Sequence, residues 1–117
     1  NLVTGVGLPP VERLLAHTTV AIGTDNVMLN SPSMFRELAF LSKCCDVDAP
    51  TALEMATRAG ATVAGVDGGL IGPGEPARLV VLDGDSPNLA GYRDPVQAIV
   101  RRATVADVKR VLLPDNS

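Results

Sequence analysis

Val20-Ala21-Ile22-Gly23-Thr24-Asp25-Asn26 decides how the rest of this chain is read. The apolar run Val20-Ala21-Ile22 leads into a tetrapeptide carrying a carboxylate, and the turn-forming stretch Asn30-Ser31-Pro32-Ser33 follows. An apolar strand that ends in a carboxylate, then a loop, then a helix, sets one acidic oxygen pair at the carboxyl edge of a sheet. In α/β folds that edge is where ligands and metals bind. The pattern predicts a short buried strand over Thr19–Ile22. An aspartate also closes ordinary turns after strands, so Asp25 gains meaning only from its surroundings.

Upstream, residues 1–8 are Gly-rich and lack helical periodicity, which reads as a loop. Pro9 and Pro10 suit the first turn of a short helix, where a missing N–H costs nothing. Val11, Leu14 and Leu15 then share one face. Downstream, Ser33 is placed to cap a helix running from about 33 to 44, with Met34, Phe35, Leu38 and Leu41 as its apolar stripe and Arg36 and Glu37 outside. Pro50 or Thr51 opens a second helix with Gly60 as its stop. Its inner face is Ala52, Met55, Ala56 and Ala59, and a short third helix is expected over Ala61–Gly65.

Gly68–Gly74 is a turn-rich link without the Gly-Lys-Ser/Thr ending of a phosphate-cradling loop. Ala77–Leu82 reads as a buried strand closed by Asp83-Gly84. Asp94-Pro95 caps a helix to about Arg101, and Val105–Leu113 reads as strand–turn–strand or one bent strand. The change of character places a boundary near Gly60–Gly69, giving segments 1–64 and 65–117.

The bulk composition excludes several roles. With 117 residues, 46% of them hydrophobic and 20% charged, the chain is globular rather than disordered. Aromatics are only 3%, so base-stacking platforms are nearly absent. A net charge of −3 and a pI near 4.9 give no general attraction to nucleic acid or anionic lipid. No apolar run approaches the roughly 20 residues that span a bilayer. Cys44 and Cys45 are adjacent and no C-x-x-C spacing exists, which reads as two thiols on a helix in a reducing compartment. These features point to the cytoplasm.

Four stretches together resemble the C-terminal part of the metal-dependent amidohydrolase superfamily, in the branch of cytosine deaminases, triazine chlorohydrolases and adenosine-type deaminases. They are Asn1-Leu2 with the Gly-rich loop and Pro9–Leu15; Val20–Asn26; the helix Ala52–Ala61; and Gly69–Gly74 with Ala77–Asp83. The resemblance implies an α/β fold: the end of a (β/α)₈ TIM-type barrel over 1–64 and part of a flanking β-sandwich with one helix over 65–117. Thr19–Gly23 is then the last barrel strand. Asp25 at its tip is implied to bind a divalent metal, zinc or iron, and to take the proton from the attacking water. Asn26, next to Asp25, either faces a small-molecule substrate or closes the turn.

The family's other ligands, a His-x-His and histidines on middle strands, have no counterpart here, and the single histidine, His17, precedes the strand. One carboxylate cannot hold zinc, which takes about three or four protein ligands. The expectation is therefore a piece of a longer enzyme, inactive and without tightly bound metal on its own, beginning mid-loop at Asn1 and prone to self-association through uncovered strand edges. A different class also fits: a non-catalytic packing or oligomerisation domain.

Overall fold

The computed structural model describes residues 7–24 and 32–115. The chain opens with α1 (Val11–Leu15), whose N-cap position is Pro10. With barely more than one turn, α1 buries only Val11, and Leu14, expected on the same face, is exposed.

Helix α2 spans Met34–Cys44 and buries Leu38 and Leu41, as its apolar spacing predicts. Ser33 occupies the N-cap position in extended backbone, but its side chain makes no capping bond. Past Cys45 the chain turns through Asp46, at φ +54°, a left-handed conformation that aspartate tolerates better than most residues. Asp48 then caps α3 (Ala49–Ala56), its carboxylate accepting the Thr51 N–H at 2.8 Å, with Pro50 in the first turn.

The stop expected at Gly60 is not there. Helix α3 breaks at Thr57 (φ −119°, ψ −90°), and α4 (Arg58–Ala64) continues through Gly60 to a left-handed C-cap at Gly65, φ +68°. The physical cause is at hand: the Thr57 hydroxyl donates to the Leu53 carbonyl at 2.7 Å. Such back-bonding competes with the helical ladder and bends it. Gly65 supplies the true termination, since glycine enters the left-handed region without a Cβ penalty.

The core is built from Val11, Leu38, Leu41, Val47, Ala49, Ala52, Met55 and Val100. Val100 comes from α5 (Pro95–Arg102), which packs against both α2 and α3. Ala49 and Ala52 are fully buried, and their small side chains let the neighbouring helices approach closely. Asp94 caps α5 as expected, accepting the N–H groups of Val96 at 3.0 Å and Gln97 at 3.3 Å. A smaller cluster of Leu89, Ala98 and Ala103 lies beside Phe35, Leu82 and Ile99.

The sheet is a two-stranded antiparallel ribbon of β1 (Leu79–Leu82) and β2 (Val108–Leu112). Leu79 pairs with Leu112 and Val81 with Arg110, and a bulge before Leu82 brings it opposite Val108. The expected burial of β1 does not hold: Val80 and Val81 are exposed, because a lone ribbon covers neither face fully. The expected strand from Val105 is split, its first part being a 3₁₀ turn over Val105–Asp107. Thr19–Thr24 forms neither helix nor strand. A strand exists only through pairing with a neighbour, and among the described residues no strand lies beside this segment. The described residues thus combine helices with one small sheet.

Candidate functional site

Asp25 and Asn26, the residues that the sequence assigns to chemistry, lie outside the described residues, as does Ser31. The approach to them is described. Val20 and Ile22 both pack on the main core, while Gly23 is exposed. Val20, Ala21 and Ile22 are all half-buried rather than buried, and the expected strand does not form. A Cβ added at Gly23 would meet nothing within 4 Å.

The segment is tethered at one backbone point, where the Ile22 N–H donates to the Met55 carbonyl at 3.4 Å. In an uninterrupted helix that carbonyl would accept the N–H of Ala59. The break at Thr57 releases it. The local chemistry of Thr57 therefore reaches the run that leads into Asp25. Below it, Leu15, Thr18, Val20 and Met55 help line a cleft of about 190 Å³, in which Glu54 is the one ionisable group. With a single ionisable side chain on its wall, the cleft holds no acid–base pair.

His17 is exposed in the turn after α1, its N–H donating to the Leu14 carbonyl at 3.1 Å. Cys44 is exposed at the end of α2 and Cys45 half-buried beside it, and neither is bridged. Burial, and then the neighbouring Cys44, push the Cys45 thiol above its ordinary value, which makes it a poorer nucleophile and metal ligand. Among the described residues no group of three or more His, Cys, Asp or Glu side chains could hold a metal ion.

The best-connected carboxylate is one that the sequence reading passed over. Asp107 is 3% exposed. Its Oδ2 accepts the Thr104 N–H at 2.7 Å, the Asn88 amide at 3.1 Å and the Thr104 hydroxyl at 3.3 Å. Its carboxyl is held below the ordinary aspartate value, first by the Ser86 hydroxyl and then by the Thr104 N–H, with smaller help from the Asn88 and Thr104 side chains. Burial pulls the other way. The buried Ser86 hydroxyl has no hydrogen-bond partner among the described residues, so the Thr104 and Asn88 bonds are the ones that the geometry carries. This is a structural knot: it closes the 3₁₀ turn, and the Asp107 carbonyl accepts the Asp83 N–H at 2.8 Å, joining that turn to the end of β1. The signal was the spacing Thr104-x-x-Asp107, a capping-box pattern, overlooked because the apolar run after it reads as strand.

No helix among the described residues is long and apolar enough to cross a membrane. The chain is similar to several curated proteins along nearly its whole length. It is 38% identical, over 96% of its residues, to 5'-deoxyadenosine deaminase of Methanothermobacter thermautotrophicus. It is 37% and 36% identical, over 96% and 99% of its residues, to the 5-methylthioadenosine/S-adenosylhomocysteine deaminases of Haloarcula marismortui and Acetivibrio thermocellus. It spans 29%, 28% and 30% of those three proteins' lengths. No solved structure matches it. The model of the amidohydrolase family matches residues 1–113, and on that match this chain belongs to the amidohydrolase family.

Proposed function

We propose that this chain is the C-terminal portion of a hydrolase that cleaves a C–N bond, acting as a deaminase on an adenosine-type nucleoside. What carries the reading is 36–38% identity, along nearly the whole chain, to proteins named as deaminases of such nucleosides. In this reading residues 1–64 supply the last strand and terminal helices of a barrel, and residues 65–117 supply part of a flanking sandwich. The substrate is a small molecule, and Asn26 lies against it.

Asp25 is the residue on which the chemistry rests. Its carboxylate takes a proton from water, the resulting hydroxide adds to the amine-bearing ring carbon, and Asp25 passes the proton to the departing nitrogen. The C–N bond breaks and ammonia leaves. The tether of Ile22 to Met55 favours this role, because a base must be held within a fraction of an ångström of its working position. The family is generally metal-dependent, and Asp25 would be one donor to such an ion. The other donors come from polypeptide outside this chain, and the 117 residues alone do not turn over substrate.

The test is ammonia release from 5'-deoxyadenosine and 5-methylthioadenosine by the intact protein that carries this chain. Turnover is expected, and Asp25→Asn should abolish it with the circular dichroism spectrum unchanged. Wild-type activity in that variant would remove Asp25 from the chemistry. No ammonia from either nucleoside would leave the packing-domain reading in its place.

A further inference from the structure

A groove of about 400 Å³ opens where α2 and α5 meet, and its lining includes Lys43, Arg93, Arg101 and Arg102. Those are four of the ten basic residues in a chain whose net charge is −3. Among the described residues none of the four makes an ion pair, the recorded pair being Lys109 with Asp83. Arg101 is oriented by its neighbour, since its Nε donates to the Ser42 hydroxyl at 3.2 Å. That bond leaves its terminal nitrogens for another acceptor.

The charges exceed what the fold itself uses. Lys43 ends α2, and Arg101 and Arg102 end α5, so part of their charge complements the helix carbonyl ends. Each helix end carries only about half an elementary charge. Asp94, the acidic group on the groove, contributes one negative charge, and its carboxylate is engaged with the Val96 and Gln97 N–H groups. An excess of about two positive charges remains once those helix ends are counted. In the same groove Gln97 buries its Oε1 without a partner. Turning that carboxamide over would present a buried N–H donor instead, and the two orientations are isosteric.

We propose that this groove binds a phosphate dianion, either free or as the monoester of an aromatic compound. A phosphate monoester carries about −1.5 to −2 charges near neutral pH, which matches the excess. Arginine forks meet phosphate oxygens two at a time. Tyr92, on the same groove and 47% exposed, offers a flat face for the organic part of an ester.

Calorimetric titration of the intact protein that carries this chain, with inorganic phosphate and with phenyl phosphate, tests the proposal. Both should bind saturably, and added salt should weaken both. Arg93→Gln with Arg102→Gln should weaken binding at least tenfold, whereas Arg13→Gln with Arg36→Gln, which are exposed elsewhere, should not change it. Asp94→Asn keeps an oxygen at the cap while removing the negative charge, so it should tighten binding several-fold. That arm and Lys43→Gln stand if the double arginine variant fails to fold. Tyr92→Ala separates the sources: loss for phenyl phosphate alone identifies an aromatic ester, and equal affinities identify the free ion. Absence of saturable binding, or an equal loss in the Arg13/Arg36 control, overturns the site. Ammonia release plays no part in these readouts, so they stand or fall apart from the deaminase proposal.

Discussion

The Ile22 N–H lies 3.4 Å from the Met55 carbonyl oxygen, and that carbonyl is available because the helix around it is broken two residues later. The contact is long for an amide hydrogen bond, whose usual donor–acceptor distance is about 2.9–3.0 Å. It is therefore a positional tether more than a source of stability. It couples the Thr57 hydroxyl, at the junction of α3 and α4, to the run that leads into Asp25.

Replacing that hydroxyl tests the coupling. Thr57→Ala removes the bond to the Leu53 carbonyl and lets Met55 recover its helical partner. The Ile22 amide should then exchange with deuterium faster than in the parent, while core amides of α2 stay protected. Unchanged protection at Ile22 would show that the break is held by something other than Thr57.

The link after α4 is a second support for the break. Gly69 adopts φ +81°, and a Cβ there would lie 2.6 Å from the Arg58 Cα and 2.7 Å from its nitrogen. Backbone cannot move aside as a side-chain tip can. Gly69→Ala is expected to cost well over ~1 kcal/mol, combining the clash with an unfavourable φ. Gly23→Ala, which points into open space, should stay within about 0.5 kcal/mol of the parent. Chemical denaturation of the two variants makes the comparison.

Asp107 sets an acid limit. Its folded carboxyl lies below the ordinary aspartate value, so the stability it contributes is full above the unfolded value of about 3.9 and is lost as pH falls through the folded one. Asp48, held down by Thr51, acts in the same direction but is exposed, and its share is smaller. The melting temperature should hold from pH 7 to about pH 5 and fall below about pH 4. Asp107→Asn should melt several degrees lower at pH 7 and show a shallower acid decline. A decline as steep as the parent's would place the acid sensitivity elsewhere.

Val100 joins the α5 segment to the first half of the chain. It is fully buried, and Val100→Ala should cost about 2 kcal/mol, from two lost methyl groups and the space they leave. Urea titration reads this directly. A loss below about 0.5 kcal/mol would mean that α5 docks only loosely on α2 and α3.

Much of this was written locally. Pro50 and Asp94-Pro95 announced two helix starts; Asp94 makes the expected cap, and Asp48, which the sequence reading did not single out, makes the other. The stripe through Leu38 and Leu41 announced the buried face of α2. Other local signals misled. Gly60 reads as a stop, yet a glycine inside a helix costs only about 1 kcal/mol, and the Thr57 hydroxyl decided the break instead. Val20-Ala21-Ile22 reads as a strand, but an apolar run does not record whether a neighbouring strand is there to pair with it.

Local sequence alone marks the starts of α2, α3 and α5 and the buried pair Leu38 and Leu41 on α2, because caps and periodicity act within about one turn of chain, whereas the family is legible only in the four resembling stretches taken together. Packing between elements is what puts Val100 in one core with Leu38 and Met55, brings Asn88 to Asp107, and joins Lys43 to Arg93 and Arg102 in one groove. Those residues are far apart along the chain, and what brings them together is the burial of apolar surface between elements, a force without direction that leaves no mark on any short stretch.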